Sequence, residues 1–325
     1  MALTAEPFSS PAVLRDLRRV RPGDLAPLLA EEREAWMRKF SWDQAAALEL
    51  LERFVADLSL DGFALFHHGR PAGYCYYVLD PPKALIGGLY AGQDAGAEAR
   101  AASLIAAVLD TLRLLPLVTR IEAQLLMVEN LSESAWTRLG RPRWFPRLYM
   151  RAGLAQAGSL PAVTRAGFAM DRWSPAALDP ASFLLPAAYA NHVDADINEQ
   201  YRSQPGARRF LHNVTHFPGC GVFLPDASFI AAGRADGRLC GMVLASRISD
   251  VSGHIAQLCV APEFRGAGVG YALLRQAMVA LAAAGFREVS LSVTRSNRAA
   301  VDLYQRCGFE SVHEFPALVW EWGNA

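Results

Sequence analysis

The chain has 325 residues, 52% of them hydrophobic, which is long enough for two domains and apolar enough to give each a core. Lys plus Arg and Asp plus Glu each number 32, so the formal net charge is zero and composition gives no case for a nucleic-acid or anionic-membrane partner. The five cysteines (Cys75, Cys220, Cys240, Cys259, Cys307) are scattered without a C-x-x-C pair, which argues against a disulfide framework or a zinc site.

The first residues carry no basic stretch followed by an apolar core, so no signal peptide is expected. No apolar run reaches the roughly 18 residues of a membrane span, and a reducing cytoplasm is the expected setting. Residues 13–20 read as a strand, and Arg21-Pro-Gly-Asp opens a helical region that runs to about Leu58. A hairpin is expected from 63–68 and 72–78 around Gly69-Arg-Pro. Residues 84–91 alternate as a strand, 97–112 follow as a helix, and 119–127 as the next strand. Residues 155–165 have linker composition.

The same order then repeats. A strand is expected near Gly167, helices over 178–190 and 194–215, and a hairpin whose turn is Asp236-Gly237. Residues 253–260 read as a strand that enters Val260-Ala-Pro-Glu-Phe-Arg-Gly-Ala-Gly-Val-Gly270, and an amphipathic helix starts at once. Residues 288–293 alternate as the following strand, and Val319-Trp-Glu-Trp322 as the last.

The turn is the most informative stretch. Glycines let backbone N–H groups approach a ligand without a Cβ in the way, and a helix start adds unpaired donors and partial positive charge, a combination suited to phosphate. The dinucleotide pattern G-x-G-x-x-G fails, because counting from Gly266 its third glycine would fall on Tyr271, and the Gly-Lys-Ser/Thr of a Walker loop is absent. What remains is Arg265-x-x-Gly268-x-Gly270. Downstream stands Asn297-Arg-Ala-Ala-Val-Asp-Leu-Tyr304-Gln-Arg-Cys-Gly308-Phe309.

These two segments resemble the pyrophosphate loop and the Asn-x-x-Ala-x-x-Leu-Tyr-x-x-x-Gly-Phe signature of the GNAT acyltransferase superfamily. The resemblance is strong over residues 160–325 and most specific between 253 and 309. It implies an α/β (α+β) fold made of two tandem GNAT-like domains, 1–155 and 156–325, each a mixed, mostly antiparallel sheet flanked by helices. The arrangement is similar to two-repeat acyltransferases. It implies acetyl-CoA or a close acyl-CoA as cosubstrate and no metal. Leu258, Cys259 and Val260 would hold pantetheine like an added strand, and Arg265, Gly266, Ala267, Gly268, Val269 and Gly270 would surround the pyrophosphate. Asn297 would touch pantetheine, cap its helix, or both.

A phenol stays protonated at neutral pH, so Tyr304 would serve as the acid that protonates the leaving thiolate. His254 resembles a strand histidine that acts as base in some relatives, and strict alternation puts it on one face with Ala256, Leu258 and Val260. A half-buried structural histidine is the equal alternative. His192, Asp194, Asp196 and Glu199 border the region where the family places its acceptor, and their carboxylates would hold an ammonium or form a solvated helix face. His212 and His216 share a helical face, with no third metal ligand in view.

In the first copy the motif is lost. Registering 89–91 on 258–260 puts Gly96 at the place of Arg265 and Ala97, Ala99 and Ala101 at the places of Gly266, Gly268 and Gly270. Trp136 stands where the tyrosine belongs, and an indole is no useful acid. The expected activity is therefore N-acyl transfer by the second copy to a small amine or a peptide N-terminus. A non-catalytic acyl-CoA sensor is the rival reading. Acceptor, acyl chain and oligomeric state are not encoded in any motif of this sequence.

Overall fold

The computed structural model describes residues 12–128, 136–137, 140–163 and 167–322. Arg138 and Leu139 of the first copy's Trp136 segment, and Thr164 and Arg165 of the expected linker, lie outside the described residues. The chain divides into two compact units. One holds Met1–Ala35, Leu48–Trp144 and Leu318–Ala325, and the other Trp36–Ala47 and Phe145–Ala317. Among the described residues no helix is long and apolar enough to cross a membrane.

In the first unit, β1 (Val13–Asp16) leads to α1 (Ala26–Phe40) and α2 (Ala45–Ala56), of which Trp36–Phe40 and Ala45–Ala47 are counted with the second unit. The sequence suggests one helical region here; Ser41 at φ 53° breaks it in two. The strands β2 (Asp61–His67), β3 (Arg70–Asp80) and β4 (Lys83–Tyr90) form an antiparallel meander with β1 at its edge. After α3 (Ala97–Arg113), β5 (Arg120–Gln124) pairs parallel to β4. Helix α3 packs on β2, β3 and β4 through a stripe that includes the fully buried Leu104, Ile105, Val108 and Leu109.

The longer segment of the second unit begins within β6 (Arg143–Gly153), a strand the sequence reading missed. Its arginines recur every fourth residue, a helical spacing, and Pro146 argues against a strand. Pro146 sits just beyond the stretch that pairs with the next strand in the sheet, Arg147–Gly153, so no ladder bond to that strand is lost. Then come β7 (Phe168–Arg172), α4 (Leu178–Tyr189), the short α5 (Val193–Ile197), α6 (Gln204–His216), β8 (Val222–Phe223), β9 (Phe229–Gly233), β10 (Leu239–Arg247), β11 (Ser252–Val260), α7 (Val269–Ala283), β12 (Glu288–Thr294), α8 (Arg298–Arg306) and β13 (Glu310–Glu321). The strand order is β6-β12-β11-β10-β9-β7, with β8 beside β10. Only β11 and β12 run parallel in this set; the other pairs are antiparallel. Helix α7 packs on β9, β10 and β11, and Gly241 lets it sit close, since a Cβ there would meet Val269 and Leu273 at under 3 Å.

The parallel pair positions the site. β11 and β12 bond from Ser252 opposite Glu288 to Ile255 opposite Leu291, and then separate while both strands continue. The break coincides with a bulge. Ile255 faces Ala245 and Gln257 faces Leu244, so Ala256 is an extra residue. The first unit repeats the device: β4 and β5 pair only to Ile86 opposite Ala123, and Gly87 is the extra residue. Ile86 and Ile255 occupy the same place under the alignment of the two halves, so the internal repeat extends to strand register.

Leu273 on α7 is fully buried in the second unit's core. Leu273→Ala should lower the stability of that unit by about 2–5 kcal/mol, seen as an earlier urea transition at unchanged slope.

Candidate active site

Beyond Ile255, the separated strands leave an open groove of about 530 Å³. Leu258, Cys259 and Val260 line one side, and Asn297, Leu303 and Tyr304 the other. The turn after β11 closes one end with Arg265, Gly266, Gly268, Val269 and Gly270. Of the residues expected to surround an anion, Ala267 alone does not line the groove.

The turn's geometry explains its glycines unequally. Gly266 and Gly268 sit at φ +77° and +82°, a left-handed conformation that disfavours any side chain. Gly270 has ordinary φ, and a Cβ there would meet Val260 and Leu303 at 3.4 and 3.6 Å, which is normal contact. Gly268 is the N-cap of α7 and no side chain caps the helix. The first-turn N–H groups therefore lack intrahelical partners and face the groove end, the arrangement that attracts anions.

Arg265 lines the groove where a phosphate ligand is expected, and it makes a further contact within the unit. Its Nη2 donates to the carbonyl of Ala188 at 2.6 Å, tying the turn to the last turn of α4. Arg306 on α8 is a second cation lining the groove, and the motif gave no reason to single it out.

Asn297 caps α8, its side chain accepting from Ala300 N–H at 3.3 Å, and it also lines the groove. Tyr304 is two turns further on, 8% exposed, and its hydroxyl has no hydrogen-bond partner among the described residues. Burial, and then the nearby Asp194, push its phenol above the usual range, so it stays protonated through neutral pH.

Tyr304 also lines a second, smaller cavity of about 90 Å³. Arg147, Asp194, Tyr189, Tyr201 and Asn297 give it a polar wall, and Ile255, Leu258 and Leu291 an apolar one. Gln257 organises the tyrosines: its Nε2 donates to Tyr189 Oη at 2.7 Å, and Tyr201 Oη donates to its Oε1 at 3.1 Å. The two rings stack at 4.5 Å. Asp194 accepts a short hydrogen bond from the Thr294 hydroxyl, and its N–H donates to His192 Nδ1 at 3.1 Å, capping α5. Of the four acceptor-side candidates, Asp194 lines this cavity and His192 the groove. Asp196 pairs instead with Arg202. His216 Nδ1 lies 2.9 Å from the His212 carbonyl, and the two rings stack outside both cavities.

His254 lines neither cavity. The bulge is the reason. His254 stands opposite Ser246 and Leu258 opposite Val243, positions of opposite parity on β10, so the two do not share a face. The ring is packed between Trp42 and Tyr149, with Nδ1 2.9 Å from Ser290 Oγ. Burial pulls its pKa down to about 3, so it is neutral at working pH. The structural alternative describes it; a proton acceptor from the groove it is not.

The first copy has the splayed strands without the glycine turn. Helix α3 begins at Ala97, so the places of Gly266 and Gly268 are already helical. The Asp94 carboxylate accepts from Gly96 N–H at 2.7 Å and from Arg100 Nη2 at 2.8 Å, and Arg100 also bonds the Ala91 carbonyl. A carboxylate of the chain itself thus sits at the amide donor where the second copy keeps open space. Trp136 is buried in that unit's core.

Residues 192–309 match the model of the Acetyltransferase (GNAT) family. Over 121 residues the chain is 28% identical to N-alpha-acetyltransferase 30 of Schizosaccharomyces pombe, a match covering 36% of this chain and 72% of that one. A solved GCN5-related N-acetyltransferase from Sphaerobacter thermophilus superposes with a TM-score of 0.66 at 18% identity, covering 95% of both chains. A tandem GNAT protein from the clavulanic acid biosynthesis pathway gives 0.55 at 17% identity, over 97% of this chain and 100% of that one. The fold is therefore that of these structures, one of them a tandem GNAT protein, as the sequence implied.

The placement of His254 has a pH signature. Its folded pKa lies below the unfolded value, so the unfolded chain binds the extra proton first. That contribution is fully present above about pH 6.5 and should be lost at about 1.4 kcal/mol per pH unit as the pH falls toward 3. Stability measured across this window should flatten by one proton's slope in His254→Gln, and the His254 ring resonances should not titrate between about pH 5 and 8.

Proposed function

We propose, from the match of residues 192–309 to the GNAT acetyltransferase family model, that the chain is an acyl-CoA-dependent N-acyltransferase. It moves an acetyl or short acyl group directly to a primary amine. The observation that carries the reading is Tyr304: an unpartnered, protonated phenol that lines both the groove and the smaller cavity.

In this reading pantetheine runs along Leu258, Cys259 and Val260, and the pyrophosphate rests on the amides from Gly266 to Gly270 with Arg306 beside it. The acyl carbonyl then stands near Tyr304, and the amine enters beside Asp194. An ammonium acceptor first loses one proton, for which Asp194 is the neighbouring carboxylate. Its nitrogen attacks the thioester carbon, so the C–N bond forms, the C–S bond breaks, and nitrogen sheds its second proton to solvent. The departing sulfur takes a proton from the Tyr304 hydroxyl, which regains one from solvent. Amide and free CoA thiol result. Sharing the reaction among acid, amine site and anion cradle lowers the barrier mostly by positioning and proton transfer.

The first copy is proposed to be non-catalytic, because its loop holds Asp94 and its tyrosine position is Trp136. A peptide N-terminus is the second acceptor class, favoured by the likeness to an N-alpha-acetyltransferase. A screen of small amines and short peptides for release of CoA thiol separates these acceptors, and binding without any turnover would mark a sensor.

Tyr304→Phe should lower kcat by about 10²-fold or more while CoA affinity stays within about twofold. Equal turnover at saturating substrate would remove the acid from the scheme. Gly268→Val should lose CoA binding in calorimetry while keeping its fold by circular dichroism, whereas Gly270→Ala should retain most of it.

A further inference from the structure

The smaller cavity contains a cation that the proposed transfer leaves unused. Arg147 on β6 is 8% exposed and lines the cavity with Tyr304. Its guanidinium has five N–H donors in a planar fork. Few are satisfied. Nη2 reaches the Ser292 carbonyl at a long 3.4 Å. Nη1 lies 3.9 Å from Asp194 Oδ1, beyond hydrogen-bond range, and that oxygen already accepts from Thr294. Nε is buried with no hydrogen-bond partner among the described residues. A buried donor left unmade is costly, more so when charged, so an arginine kept this way invites an anion to complete it.

We propose that the cavity beyond Tyr304 takes a carboxylate, which Arg147 holds through its unfilled edge. The inference rests on the transferase reading and sharpens it to a substrate class. A planar two-oxygen anion fits the fork bidentately, and the cavity's size, about 90 Å³, suits a small head group and no long chain. The carboxylate belongs either to the acyl chain, as in a dicarboxylic acyl-CoA, or to the acceptor, as in a free amino acid whose ammonium meets Asp194. Both supply the same chemistry to the same side chain. Where the acceptor supplies the carboxylate, a peptide N-terminus is disfavoured, because it has none next to its amine; where the acyl chain supplies it, a peptide remains an acceptor.

Two arms distinguish the sources in the full-length chain. Succinyl-CoA is compared with its methyl ester, and free amino acids with their amides, reading thiol release. The expected result is a preference of at least tenfold in kcat/KM for the free acid in one arm. Arg147→Gln should reduce it to under twofold, and Arg147→Lys should leave an intermediate value. CoA affinity equal to that of the parent shows that each variant is folded. Equal rates for acid and masked acid in both arms overturn the proposal, as does a preference that survives in Arg147→Gln. So does a uniform loss on all substrates, which would make Arg147 a counter-charge for Asp194 only. If no pair turns over, calorimetry of succinate and glycine on the CoA-loaded chain decides. Binding that Arg147→Gln abolishes supports the carboxylate site while the transferase reading falls, and no binding overturns the site.

Discussion

The site depends on one interruption in a ladder of hydrogen bonds. β11 and β12 stay paired for four residues and then part at Ile255 and Leu291. A sheet that stayed zipped would bury the edges of Leu258 to Val260 and leave no groove. Parallel strands are held only through backbone bonds and the layers on either face, so the bulge at Ala256 and the packing of α4 and α7 are what make the separation stable. The glycine turn stands at the end of one diverging strand and the helix with Tyr304 follows the other. Chain order alone brings anion cradle and phenol to opposite ends of the same opening.

Much of this was legible because it is local. The turn needs two residues with left-handed backbone, and Gly266 and Gly268 are the residues that allow it. Asn297 precedes its helix at cap spacing, and Gly308 ends it at φ 86°. Such demands are written within a dozen residues of sequence. The register set between the two halves places the extra residues of the two strands, Gly87 and Ala256, at the same position.

What was not legible is long-range. β6 hides behind a helical spacing of arginines, so Arg147 went unnoticed until its strand was paired with β12. Tyr189 and Tyr201 matter because Gln257, far along the chain, holds their hydroxyls. His254 was assigned to the wrong face since alternation was taken as unbroken through Ala256. A clue existed in the first copy, where Gly87 occupies the matching place, and a glycine inside a strand signals a bulge. The second contact of Arg265, with the Ala188 carbonyl, was not legible because Ala188 belongs to a helix with no motif.

The division of the chain carries a final consequence. The stretch Trp36–Ala47 clusters with the later half, and Leu318–Ala325 with the earlier one. β13 changes allegiance midway, at Ala317. Each unit is therefore built from segments that lie on both sides of a segment of the other in sequence. A chain cut at its midpoint would leave each product without a segment that belongs to it, so no single cut releases either unit whole.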